Sequence, residues 1–138
     1  MLLVQKIKNH FKVIFIIAYA VFKYYRLYFL AACKSPRLFL FEFFRIHNPT
    51  KINQQGNDIG TQYRSAIFYT DSKQRRIAEE VISRVNDSNE WVAPVVTEVT
   101  PFKSFYPAEE KHQKYIMKFP EGYTCHFRRN FNLGEHST

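Results

Sequence analysis

Residues 62–99 read QYRSAIFYTDSKQRRIAEEVISRVNDSNEWVAPVVTEV, and the change of period within this stretch decides the fold class. Residues 62–69 are rich in aromatic and branched side chains, which suit a pleated, half-buried surface, and they predict a strand. Asp71-Ser72 supplies a cap for a helix whose Ile77, Ala78, Val81, Ile82 and Val85 recur on one face at helical spacing. Glu80 and Arg84 stand four apart on its exposed side, the spacing at which opposite charges meet. Residues 91–99, rich in Val and Thr, predict a second strand, with Pro94 confining it to a sheet edge or delaying its start. Strand, helix, strand is the alternation of an α/β (α+β) domain.

Working outward, Ser35-Pro36 offers a cap and a first-turn proline for a helix over residues 38–47, with Leu40, Phe43 and Phe44 on one stripe. Asn48-Pro49 ends it. Residues 50–61 are polar, contain glycine and lack an apolar period, so they predict a long loop, and long loops in compact domains are usually functional. Downstream, Pro107 opens a short helix with Glu109 and Glu110 in its first turn, Pro120 and Gly122 close it, and the tail through Thr138 predicts coil. Two strands rarely make a complete sheet, so the expected architecture is an incomplete one.

The net charge of +8 is concentrated at the front. Seven cations and no acid precede Glu42, leaving 13 basic and 12 acidic residues behind them, which is an ordinary globular surface and argues against nucleic acid as a partner. Cys33 and Cys125 form no C-x-x-C pair, and the five histidines lack metal-ligand spacing. The expectation is therefore no metal, no bound cofactor and a reducing, cytoplasmic compartment.

Residues 1–34 form a hydrophobic, basic segment distinct from residues 35–138. The apolar run 13–22 is bounded by Lys12 and Lys23 and is half the length needed to span a bilayer as a helix. Extending it over residues 11–32 as a membrane-associating anchor places Lys23 and Arg26 at depth, at a few kcal/mol each. Leu30-Ala31-Ala32-Cys33 has the look of a lipoprotein cleavage site, but the two cations interrupt the apolar stretch that should precede it. A shifted reading frame or an alternative start are the other readings of this segment.

His47-Asn48-Pro49-Thr50, followed by Gln55-Gly56-Asn57-Asp58-Ile59-Gly60-Thr61-Gln62-Tyr63-Arg64-Ser65, resembles the signature stretch of the A-type peptide methionine sulfoxide reductases. Val96-Thr97-Glu98-Val99, Phe105-Tyr106-Pro107-Ala108-Glu109-Glu110 and His112-Gln113 resemble that family's second block, so the resemblance covers about residues 38–126. It implies a two-layer domain of the ferredoxin-like split βαβ kind, here an incomplete one, and reduction of the S epimer of methionine sulfoxide, free or in proteins. It further implies a thiolate that attacks the sulfoxide sulfur, acidic and phenolic groups at the oxygen, and thioredoxin or another dithiol as reductant.

By this resemblance Asp58 and Tyr63 are the groups around the sulfoxide oxygen. Taken alone, Asp58 reads rather as an Asx-turn residue and Tyr63 as a half-buried strand aromatic; the flanking match reverses that preference for both. Arg64 is expected to pair with a carboxylate of the core, and His112 to pack on a helix. The Gly-Cys-Phe-Trp motif that carries the family's nucleophile occurs nowhere in the sequence, and Cys33, in Ala-Ala-Cys-Lys-Ser, does not replace it. No nucleophile is identified. Cys125 falls where many members keep a recycling cysteine, although a lone tail thiol beside a histidine such as His126 is more often an ordinary one. The expectation is a reductase by descent, represented by a truncated chain with little turnover alone; the alternative is a non-catalytic, membrane-associated or binding remnant.

Overall fold

The computed structural model describes residues 35–104, 118–122 and 127–134. The front segment with Cys33, the second-block residues 105–113, the helix expected at Pro107 and the recycling candidate Cys125 lie outside the described residues.

Helix α1 (Pro36–Ile46) begins as expected: Ser35 is extended and Pro36 fills a position whose N–H would have no intrahelical partner. It stops at His47, which is extended, because the Asn48-Pro49 step disfavours helical backbone before the proline ring. Leu40, Phe41, Phe43, Phe44 and Ile46 are all buried, so α1 is covered on most sides. Removing one such side chain from water contributes roughly 1.5–3 kcal/mol.

Helix α2 (Ser72–Asp87) is the other half of the core. Its Asp71 cap accepts from the Gln74 N–H at 2.9 Å, and the Gln74 carboxamide reaches back to the Thr70 N–H at 3.0 Å, a reciprocal cap that satisfies donors on both sides of the helix start. Ile77, Ala78, Val81 and Val85 bury one face against α1. Beyond the last turn Asn89 takes a left-handed conformation (φ 56°), the backbone that ends helices and that asparagine tolerates. The expected Glu80–Arg84 pair forms at 3.0 Å, but Glu80 also binds Arg37 of α1 at 2.7 Å, joining the two helices.

The loop expected over residues 50–61 contains a small antiparallel hairpin, β1 (Gln54–Gln55) with β2 (Asp58–Ile59). Gly56, at the first central position of its two-residue turn, has φ 59°, which matches the twist such turns require. The strand expected from residue 62 begins later. Thr61–Tyr63 is a single 3-10 turn, and β3 (Ala66–Tyr69) starts only after Arg64 has returned its N–H to Thr61. The second strand is also displaced, from residues 91–99 to β4 (Glu98–Pro101). The Val95 N–H is taken by the Asn86 side chain (2.9 Å) and the Val96 N–H by the Pro49 carbonyl (2.8 Å), so neither is left for a ladder. Trp91, expected in a strand core, instead packs edge-on against Phe131 at 5.0 Å. Strands β3 and β4 pair in parallel, Ala66 opposite Glu98, with α2 as the crossover. The architecture is α+β: two two-stranded sheets and two long helices among the described residues.

Residues 127–134 are irregular, as expected, yet Leu133 enters the core and Phe131 packs against it. Leu133 is fully buried. The Arg45 guanidinium, itself buried, donates to the Phe131 carbonyl (2.9 Å) and binds Glu42 (2.8 Å), and Glu42 in turn holds Arg128 at 2.9 Å. Arg129 lies over the Trp91 and Phe127 rings, and its partial burial lowers the guanidinium pKa from its ordinary value.

Candidate functional site: the Asp58–Tyr63 turn

Asp58 and Tyr63 sit on either side of Gly60, both half-buried. The Gly60 N–H donates to the Asn53 carbonyl (2.8 Å), closing the hairpin, and the Gly60 carbonyl accepts the Tyr63 N–H (2.9 Å), opening the 3-10 turn. Gly60 adopts φ 148°, a conformation open almost only to glycine, and a Cβ there would lie 2.3 Å from the Gln62 side-chain oxygen. The single glycine thus links the hairpin that bears the carboxyl to the turn that bears the phenol.

A buried polar frame holds this turn. Gln55, opposite Asp58 in the hairpin, is buried and brackets one residue: its carboxamide accepts from the Asn48 N–H (2.7 Å) and donates to the Asn48 carbonyl (3.0 Å). Asn48 in turn accepts from both the N–H and the hydroxyl of Thr50 (3.0 and 2.7 Å). On the other side His47, wholly buried, contacts the Phe43 carbonyl through Nδ1 (2.6 Å) and Ser65 Oγ through Nε2 (2.8 Å), and Ser65 Oγ meets Thr97 Oγ1 at 2.7 Å. A carbonyl only accepts, so Nδ1 carries the proton. In the neutral ring Nε2 then accepts from the Ser65 hydroxyl, and Thr97 donates to Ser65. The Ser65 carbonyl takes the Glu98 N–H (3.0 Å), and Arg64 pairs with Glu98 at 3.2 Å, at the surface rather than with the core carboxylate expected.

This frame unites the two stretches that carried the sequence resemblance. His47, Asn48 and Pro49 bond to Gln55, Ser65 and Val96, and Ser65 to Thr97 and Glu98. A model of the family described as peptide methionine sulfoxide reductase matches residues 28–137. The chain belongs to that family.

Among its relatives, peptide methionine sulfoxide reductase MsrA of Nocardia farcinica is 58% identical over 87 residues, which is 63% of this chain and 51% of that protein. MsrA 1 of Mesorhizobium japonicum is 54% identical over 95 residues, 69% of this chain and 55% of that one. The chain therefore spans about half the length of the curated relatives it matches. The crystal structure of Mxr1 from Saccharomyces cerevisiae in reduced form superposes with a TM-score of 0.63 at 40% identity, covering 68% of this chain and 52% of that one. Its likeness supports the α+β class of the reductase domain.

The structure brings the predicted Asp58 and Tyr63 onto one turn. No cysteine falls among the described residues, so it places neither Cys33 nor Cys125. Among the described residues no three His, Cys, Asp or Glu side chains are gathered to hold a metal ion, and no helix is long and apolar enough to cross a membrane. The frame is not evident from the sequence, where His47 and Gln55 stand in the motif without a role of their own. Their signal was weak, a histidine and a glutamine in an otherwise polar stretch.

Proposed function

We propose that this chain serves the reduction of methionine S-sulfoxide, free or in proteins, and that Asp58 and Tyr63 are the groups that take the sulfoxide oxygen. The observation that supports this reading is the braced turn, whose backbone hydrogen bonds on both flanks hold the two residues that bear the carboxyl and the phenol on either side of Gly60. A sulfoxide oxygen only accepts hydrogen bonds, so the Tyr63 phenol meets it through its O–H, and the Asp58 carboxyl meets it only by way of a proton. Those protons compensate the charge that grows on oxygen as the sulfur–oxygen bond breaks.

In the reaction, a thiol and the sulfoxide give a sulfide and a sulfenic acid, the sulfoxide sulfur gaining the two electrons that the thiol sulfur loses. A second thiol then forms a disulfide with loss of water, and a dithiol such as thioredoxin restores both thiols. Cys125 is the proposed second thiol. No metal or bound cofactor enters these steps, and the reducing cytoplasm is the proposed location. With no Gly-Cys-Phe-Trp in its sequence, this polypeptide by itself is proposed to bind the sulfoxide with little turnover.

The test is binding of N-acetyl-methionine S-sulfoxide amide to the full chain by calorimetry, beside turnover with dithiothreitol. Tyr63→Phe should weaken binding by about two- to tenfold, the range of one hydrogen bond. Asp58→Ala should weaken it similarly, whereas Asp58→Asn, whose amide donates at the same place, should retain most of it. Equal affinity in all variants would refute the assignment, and robust turnover abolished by Cys33→Ser would identify a nucleophile that the motif comparison excludes.

A further inference from the structure

We propose that His47 is a positioning residue that sets the geometry of both Asp58 and Tyr63, an inference that rests on the oxygen-binding reading of those two groups. His47 is wholly buried, 11 positions from Asp58 and 16 from Tyr63 in sequence, yet it stands at the junction of two short bonded paths, one to each.

The first path runs through its neighbour. Asn48 follows His47 directly, its peptide is bracketed by the Gln55 carboxamide, and Gln55 is the hairpin partner of Asp58. The second runs through the imidazole. Nε2 holds Ser65 Oγ, Ser65 is two residues from Tyr63, and the intervening Arg64 ties its guanidinium to the Thr61 carbonyl (2.8 Å), at the start of the turn that Tyr63 completes. The paths meet again at Gly60, whose N–H is bonded toward the hairpin and whose carbonyl is bonded to Tyr63. Asp58 and Tyr63 thus lie on one cyclic frame in which His47 joins the arms.

The chemistry of the ring suits the task. Its Nδ1 proton is committed to the Phe43 carbonyl at the end of α1, which orients the plane, and the Phe43 ring packs on it at 4.1 Å. Nε2 then presents a single acceptor in a fixed direction, and the Ser65 hydroxyl is oriented in turn by Thr97. Buried polar groups satisfied on all sides hold one arrangement, because any displacement leaves a desolvated donor or acceptor unpaired. Without the imidazole, α1 and the start of β3 would still pack through apolar contacts, but the turn between them would lose its register.

Amide hydrogen exchange on the full chain tests this, with Ser65→Ala as the main variant because it deletes one atom and keeps the core. Ser65→Ala should speed exchange of the Asn48, Gly60 and Tyr63 amides by about tenfold while residues 77–85 of α2 exchange as in the wild type. His47→Gln puts an acceptor oxygen where Nε2 stood and should hold those amides within about twofold of wild type, whereas His47→Ala should not. Unchanged exchange at Gly60 and Tyr63 in Ser65→Ala overturns the proposal, as does an equal rise across α2, which marks a general loss of stability. The same variants are titrated with N-acetyl-methionine S-sulfoxide amide, where Ser65→Ala should weaken binding about tenfold. If the wild-type chain does not bind the sulfoxide, or binds it regardless of Asp58→Ala, the oxygen-binding reading falls, and the exchange data still decide whether His47 sets the turn.

Discussion

Replacing Leu133 by alanine removes a side chain that is fully buried although it lies in a segment with no helix or strand. If residues 127–134 are part of the core, the loss is that of an interior leucine. The deleted carbons lose their transfer free energy and leave a void among residues of α1 and α2, and such changes destabilise by about 2–5 kcal/mol. We expect the lower half of that range, about 2–3 kcal/mol, because an irregular segment relaxes into a cavity more readily than a helix does. Against a total stability of about 5–15 kcal/mol for a domain, this is a large fraction. Trp91 provides the probe: its ring contacts Phe131 at 5.0 Å and lies 4.8 Å from the Arg129 guanidinium, so its fluorescence reports the tail, while far-ultraviolet circular dichroism reports α1 and α2. Urea unfolding followed by both signals should show one shared transition at a lower midpoint in Leu133→Ala. A shift corresponding to less than about 1 kcal/mol, or a tryptophan transition that precedes the helical one in the wild type, would refute the reasoning.

Other outcomes follow from particular contacts. Gly60→Ala should destabilise by about 1–3 kcal/mol because φ 148° excludes a side chain, and Gln62→Ala in the same background should recover only the part due to the Cβ contact, as read by thermal unfolding. The hydrogen bond from Arg37 and its charge lower the Glu80 carboxyl pKa. A lowered carboxylate stabilises the fold above its unfolded value of about 4.3 and loses that contribution as pH falls through the folded value. With both side chains a third to a half exposed, a double-mutant cycle of Arg37→Ala and Glu80→Ala should give no more than about 1 kcal/mol at neutral pH, falling toward zero in acid and with added salt.

The two helices were legible because each carries its own stop and start and a stripe of apolar residues: Ser35-Pro36 and Asn48-Pro49 bound α1, and Asp71 with the Ile77, Val81, Val85 stripe marks α2. The two parallel strands were legible in order but not in extent. Whether Gln62 and Val96 join a ladder depends on the 3-10 turn that the Gly60 carbonyl opens and on the Pro49 carbonyl, and no local propensity records these. The two-residue hairpin was hidden for the same reason, since β1 and β2 are too short to show a period. Leu133 and Phe131 carry no pattern that separates a docked coil from a free one. At the site, Asp58 and Tyr63 could be named from the motif, whereas the roles of His47, Gln55 and Ser65 arise only when residues 7 to 32 apart meet, and a buried, satisfied glutamine looks like a surface one until it is folded.

The central claim is that the Asp58–Tyr63 turn receives a sulfoxide oxygen. Its most direct test is a titration of isotope-labelled full chain with the separate S and R epimers of N-acetyl-methionine sulfoxide amide, followed by amide nuclear magnetic resonance. The S epimer should move the Asp58, Gly60 and Tyr63 signals saturably and the R epimer should move them far less. Saturable shifts elsewhere with this turn silent, or equal shifts from both epimers, would contradict it.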